Sequence, residues 1–265
     1  MNCAMSLLRL IARLDIKGPN VVKGIHLEGL RVVGKPEELA PKYAEEGADE
    51  LLYVDIVASL YGRNQLASLL DRTTREVFVP VTVAGGIGSL AEVQRVLDAG
   101  ADKVAINTAA IRHPDLIDDI ACRYGSQAIT VSIEAKRNSH GWEAYTDNGR
   151  EKSGRDACAW AREAVERGAG EILLTSIDCE GTRKGFDVAL VKTLAPALPV
   201  PVIACGGMGT PEHLWEVIHE GKADAVAMAS VLHYNQHTIG DLRDGLAHQR
   251  KLSAQGNRET GRAAA

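Results

Sequence analysis

The sequence predicts a single (β/α)8 TIM barrel, and three observations carry that reading. Eight short apolar runs alternate with stretches of helical periodicity along the chain. Apart from charges at their ends and in the first, the runs are continuously apolar, as in parallel strands covered on both faces, and not alternately apolar and polar. The two halves of the chain also repeat one another. Gly47-Ala48-Asp49-Glu50-Leu51-Leu52 returns as Gly168-Ala169-Gly170-Glu171-Ile172-Leu173, and Val83-Ala84-Gly85-Gly86-Ile87-Gly88 returns as Ala204-Cys205-Gly206-Gly207-Met208-Gly209, both offset by 121 residues. Solenoid units run to about 20–50 residues, so a repeat this long describes two halves of one closed fold.

Taken in order, the strand candidates are Leu8 to Asp15, Glu50 to Asp55, Val79 to Ala84, Lys103 to Ile106, Ala128 to Ile133, Glu171 to Ser176, Val200 to Ala204 and Ala225 to Met228. Between them Leu90 to Ala99, Pro114 to Tyr124, Ala157 to Arg167 and Pro211 to Glu220 place apolar residues every three or four positions, the spacing of helices that lay one face on a sheet. Gly18 to Lys35 reads as a long loop after the first strand. Asn138 to Lys152, with Asp147-Asn148-Gly149, reads as a hairpin after the fifth. Residues 1–252 form one barrel domain on this reading, and 253–265 a loose tail.

Composition narrows the function classes. A chain of 265 residues with 45% hydrophobic content can bury a full core as one domain. A net charge of -5 with interspersed signs argues against nucleic acid or an anionic membrane as the main partner. Cys3, Cys122, Cys158, Cys179 and Cys205 are scattered without zinc-site or disulfide spacing, which fits a reducing cytoplasm. The apolar stretch from Leu7 to Leu14 is interrupted by Arg9 and Arg13, and is too short to span a bilayer. The eight histidines, His26, His140 and His233 among them, show no metal-ligand spacing, so neither a metal nor a cofactor is expected.

The residues that bear chemistry fall at strand ends. Gly85-Gly86 and Gly206-Gly207 follow the third and seventh strands, each ahead of a helix. Glycines let backbone N–H groups approach a phosphate closely, although one such pair alone is equally a tight turn. Asn107-Thr108 and Ala229-Ser230 follow the fourth and eighth strands and can complete each site, which suggests a substrate with a phosphate at either end. Asp15 and Glu134, 119 residues apart, close the first and fifth strands and would face each other across the mouth as base and acid. Glu180, in Asp178-Cys179-Glu180-Gly181, and Lys23 are further candidates for substrate contact. At the other end Arg9, Glu50, Lys103 and Glu171 begin the first, second, fourth and sixth strands. Composition alone reads these four charges as a salt-bridge plug.

With these residues in place, the chain resembles the cyclase subunit of imidazole glycerol phosphate synthase from Leu8 to about Leu252. The matching segments are Leu14-Asp15-Ile16-Lys17, Val21-Val22-Lys23-Gly24, Asp102 to Ala110, Gly125-Ser126-Gln127 and Arg167 to Asp178. The resemblance implies a barrel that receives ammonia from a separate glutaminase subunit docked at its base. Arg9, Glu50, Lys103 and Glu171 would then form the ammonia gate. It implies a bisphosphorylated ribulosyl formimino aminoimidazole carboxamide nucleotide as substrate, Asp15 as essential base and Lys23 as a substrate-binding lysine. Phosphate contacts fall on Gly86, Asn107 and Thr108 in one half, and on Gly181, Gly207, Ala229 and Ser230 in the other.

The chain departs from the family pattern at the mouth. Glu134 stands where the family has its second catalytic aspartate, and Glu180 where its strand-six turn has another. Ala84 opens the usual triple glycine, and Cys205 replaces a serine. An added methylene moves a carboxylate by roughly an ångström, a displacement that can cost about a hundredfold in rate. Two other readings therefore stay open: a relative that amidates a sugar for surface glycans, and a barrel that activates a glutaminase without catalysis of its own.

Overall fold

The structure, a computed structural model, describes residues 8–58, 69, 70, 73 and 76–263, with side chains to residue 253; Cys3 and Leu7 lie outside the described residues. Its strands in chain order are β1 (Arg9–Lys17), β2 (Asn20–Ile25), β3 (Glu28–Gly34), β4 (Glu50–Asp55), β5 (Val81–Ala84), β6 (Lys103–Ile106), β7 (Ile129–Asn138), β8 (Gly141–Thr146), β9 (Glu151–Asp156), β10 (Glu171–Ser176), β11 (Val202–Cys205) and β12 (Ala225–Met228). Eight of them pair in parallel in the order β1-β4-β5-β6-β7-β10-β11-β12. The pairing of β12 with β1, Arg9 opposite Ala225, closes the ring. With helices in the connections, this is a TIM barrel.

Both faces of the barrel wall are buried, which is why its strands read as unbroken apolar runs. On β1, Leu10, Ala12, Leu14 and Ile16 join the outer core between wall and helices. Ile11 faces the interior with Leu52, Ala84, Ala105, Leu173, Ile203, Cys205, Ala225 and Ala227. Arg9, Arg13 and Asp15 share the parity of Ile11, so these three charged residues point into the barrel.

Three aspartates stitch the wall by one device. The side chains of Asp49, Asp102 and Asp224 accept hydrogen bonds of 2.7, 2.8 and 2.9 Å from the amides of Leu10, Val81 and Val202 at the starts of neighbouring strands. Gly170 occupies the place of Asp49 in the second half. A Cβ there would lie 2.0 Å from the Ser126 carbonyl oxygen, so no side chain fits. Helices Leu90–Asp98, Asp115–Tyr124, Ala157–Glu166 and Pro211–His219 occupy the stretches of helical periodicity. Ser89 caps the first by accepting from the Glu92 amide, and Glu92 returns a contact to the Gly88 amide.

Three segments differ from the sequence reading. Gly18 to Lys35 is mostly an antiparallel hairpin, with β2 on the extended end of β1 and β3 on β2. Its two-residue turn is His26-Leu27, both at positive φ (51° and 64°). Such turns are ordinarily signalled by Asn-Gly or Asp-Gly, and nothing in His-Leu announces one. The hairpin expected after the fifth strand is a three-stranded antiparallel flap. Here β7 runs beyond the wall to pair with β8, and β8 with β9. The last helix, Ile239–Ala263, continues through most of the stretch read as a tail. Among the described residues no helix is long and apolar enough to cross a membrane.

Candidate active site

The carboxyl ends of the barrel strands bring Asp15 into a buried network. Arg13 Nε donates to Asp15 Oδ1 at 2.7 Å, and Lys23 Nζ donates to Asp15 Oδ2 at 3.1 Å. Lys23 comes from β2 and also contacts Glu180 in the turn after β10. Two cations and two carboxylates thus alternate as Arg13, Asp15, Lys23 and Glu180, each 3% exposed. Burial alone would raise the Asp15 pKa, but Arg13 and Lys23 outweigh it and hold the group well below the usual carboxylate range. Burial likewise opposes the charge on Lys23, yet Asp15 and Glu180 keep it a firm cation.

Glu134 sits across the mouth in a different environment. Its Oε2 accepts from Asn107 Nδ2 at 3.0 Å and from the Gly149 amide at 2.7 Å. Burial pushes its pKa up to about 7, although Arg13 and the Gly149 amide work the other way. One carboxylate is therefore locked in its ionised form while the other carries a proton through much of the range below neutrality. Titratable pairs driven apart in this way mark acid and base roles.

Around these carboxylates the two halves present matching cradles. Gly85 and Gly86 have φ of 95° and 66°, and Gly206 and Gly207 have φ of 92° and 104°. A Cβ on Gly85 would lie 2.1 Å from the Asp55 carbonyl oxygen, and one on Gly206 would lie 2.8 Å from that of Ser176. These two carbonyls end the neighbouring strands β4 and β10, so each glycine is required by the same close approach. Asn107 (φ -125°, ψ -82°) and Ala229 (φ -135°, ψ -67°) share an uncommon backbone conformation, each just before Thr108 or Ser230.

A cleft of about 330 Å³ is lined by Gly85, Gly86, Asn107, Thr108, Arg112 and Glu134, among others. A second, of about 640 Å³, is lined by Lys23, Arg31, Gly181, Arg183 and Ser230, among others. Gly206, Gly207 and Ala229 line a narrow niche that shares Gly181 and Ser230 with the second cleft. The mouth therefore offers one glycine-framed recess per half.

At the base, Arg9 reaches Glu50 at 3.2 Å and Glu171 at 2.7 Å, and Lys103 reaches the same two carboxylates at 2.9 and 2.8 Å. The four charges form a closed ring across the bottom of the barrel. Thr82 and Thr130 add hydroxyl contacts to Glu50 and Glu171. Among the described residues no cluster could hold a metal ion.

Three contributors carry no evident motif in the sequence. Arg13 lies on the lumen face two residues before Asp15, and a period of two along β1 would have placed it there. The Gly149 amide and Arg112, which pairs with Asp147 at 2.8 Å, bring the turn of the flap onto the first cleft. His26 lies in the hairpin turn and His233 ends the short helix Ser230–His233. His26 Nδ1 lies 3.0 Å from the Ile177 carbonyl, and His233 Nδ1 lies 2.7 Å from the Tyr43 hydroxyl.

A TIM barrel whose mouth holds two buried carboxylates in unlike environments, with a glycine-framed recess in each half, has the active face of a barrel enzyme. The comparisons with known proteins agree with that class. Residues 9–238 match the family described as "Histidine biosynthesis protein", and the chain belongs to it. It is 61% identical over 209 residues to the imidazole glycerol phosphate synthase subunit HisF of Legionella pneumophila, an alignment covering 78% of this chain and 99% of that relative.

Proposed function

We propose that the chain is the cyclase subunit of an imidazole glycerol phosphate synthase, acting in histidine biosynthesis with ammonia delivered by a separate glutaminase subunit. The observation that carries this reading is the mouth itself, with its buried ionised Asp15, its Glu134 pushed up to about 7, and a glycine recess on either side. Family membership and the relative named above support the same reaction.

In this reaction ammonia condenses with the ribulosyl carbonyl of the bisphosphorylated substrate, water is lost, and cleavage with ring closure gives imidazole glycerol phosphate and an aminoimidazole carboxamide ribotide. Loss of water needs a proton on the departing oxygen, and protonated Glu134 supplies it. Asp15 accepts the proton that nitrogen must lose. While Lys23 holds Oδ2, Asp15 is a weak base. A substrate phosphate in the cleft lined by Lys23, Gly181 and Ser230 competes for that ammonium and raises the basicity of Asp15 at the moment of binding. The second phosphate belongs to Gly85, Gly86, Asn107 and Thr108.

The base ring of Arg9, Glu50, Lys103 and Glu171 is the ammonia gate in this reading, and the glutaminase docks over it in the cytoplasm. Phe78, 91% exposed shortly before β5, gives that face an apolar contact. Complementation tests the proposal. A bacterial strain lacking its own cyclase subunit should grow without histidine when it carries this chain, and should not grow with the Asp15→Asn variant. Absence of growth with the folded wild-type chain on ammonium-rich medium would overturn it.

A further inference from the structure

The inward face of β1 carries a charge to which the proposed reaction gives no part. Arg13 is buried, and its guanidinium makes three contacts: Nε to Asp15 Oδ1 at 2.7 Å, Nη1 to Cys205 Sγ at 3.3 Å and Nη1 to Thr175 Oγ1 at 3.5 Å. It lies just above the inner apolar cluster that contains Ile11, Leu173 and Ile203. A guanidinium gives up its hydration to sit there, and its one short contact is to the carboxylate read as the base.

The two cations on Asp15 are anchored differently. Arg13 belongs to a strand paired in parallel on both sides, with β12 and with β4. Lys23 belongs to the hairpin outside the barrel wall and divides its ammonium between Asp15 and Glu180. An anionic substrate can draw Lys23 away, whereas Arg13 stays on Oδ1. We propose that Arg13 is the positioning residue for Asp15, holding Oδ1 throughout so that Oδ2, on the Lys23 side, is the oxygen presented to substrate. The inference rests on the reading of Asp15 as base. The titratable and charged groups around Asp15 and its two cations are Arg13 on its own strand, Lys23 on β2, Glu134 on β7, Glu180 after β10, Cys205 on β11 and His233 after β12. Of these, Arg13 and Lys23 are the cations, and burial keeps His233 low, at about 4.

The experiment compares wild type, Arg13→Gln, Arg13→Lys and Asp15→Asn in ammonium-dependent turnover of the bisphosphorylated nucleotide. The range is from about pH 5 to about pH 8, with free ammonia held constant. For Arg13→Gln we expect an acid limb of kcat to appear within this range: with Lys23 drawn to substrate and Arg13 gone, burial alone acts on Asp15 and raises it, whereas in wild type Arg13 keeps that limb below the range. In the same variant kcat should fall about tenfold with KM nearly unchanged, since orientation and not binding is lost. Arg13→Lys, which keeps the charge, should leave the limb in place and recover part of kcat. A wild-type profile in Arg13→Gln, or equal damage in both variants, would overturn the proposal. Should Arg13→Gln not fold, Arg13→Lys alone decides: its shorter reach should lower kcat at constant KM, and a wild-type kcat contradicts the role. Full activity in Asp15→Asn removes the reading of Asp15 itself. An inactive Asp15→Asn beside Arg13 variants of wild-type profile removes only Arg13.

Discussion

Lys23 Nζ lies 3.1 Å from Asp15 Oδ2 although the two residues sit on different strands, one in the hairpin and the other at the end of the barrel wall. The hairpin that sequence reasoning took for a loop is what delivers this ammonium. Its tight His26-Leu27 turn folds β3 back along β2, and the His26 amide donates to the Glu180 carbonyl at 2.8 Å. Under the proposed function this contact ties substrate binding to the state of the base, and the consequences can be measured.

Asp15→Asn should lower ammonium-dependent turnover by about 10²–10⁴-fold, the usual contribution of a positioned general base. Steady-state kinetics checks this, and full activity would take Asp15 out of the mechanism. The variant should also lose about 3–5 kcal/mol of stability, because Arg13 and Lys23 are buried and would keep only Glu180 as counter-charge.

Glu134 should set an alkaline limit on the reaction. As a proton donor with its pKa pushed up to about 7, it loses its proton as pH rises through that value, so kcat/KM at constant free ammonia should decline above about pH 7. Glu134→Gln should abolish the limb and lower kcat by about 10²-fold or more. A limb that persists in the glutamine variant would assign it to another group.

The same shift has a signature in stability. Because the folded-state pKa of Glu134 lies above its ordinary value of 4.5, its stabilising share is intact below 4.5 and is lost as pH rises through about 7. At about 1.4 kcal/mol per pH unit the gap amounts to roughly 3 kcal/mol. Glu134→Gln should therefore gain stability relative to wild type at about pH 8 more than at about pH 5 in urea unfolding. Asp15 acts with the opposite sign. Its share is present above its ordinary value of 3.8 and is lost only as pH falls below it.

Lys103→Ala tests the base ring. It leaves Glu50 and Glu171 with Arg9 alone, and should impair glutamine-dependent synthesis in the two-subunit complex more than ammonium-dependent synthesis by the barrel. Equal losses in the two assays would return the ring to a purely stabilising part.

The barrel and the positions of its two carboxylates were legible because each rests on a local pattern: continuous apolar strands, an acid at a strand end, and glycine pairs repeated in both halves. Gly85 and Gly206 could be found since backbone contact leaves no alternative to glycine there. Arg13 and the flap turn were less legible. Arg13 reads as an interruption of an apolar strand until the period of two puts it on the lumen face beside Asp15. Gly149 contacts Glu134 through its backbone N–H, which every residue but proline possesses, and only the fold brings that amide to Glu134.

The most direct test is an ammonium-dependent assay of the purified chain with the bisphosphorylated formimino nucleotide, following loss of substrate absorbance. Turnover at an ordinary enzyme rate, about 1–10³ s⁻¹, is expected without any glutaminase present. A folded protein that leaves the nucleotide unbound and unchanged would contradict the assignment.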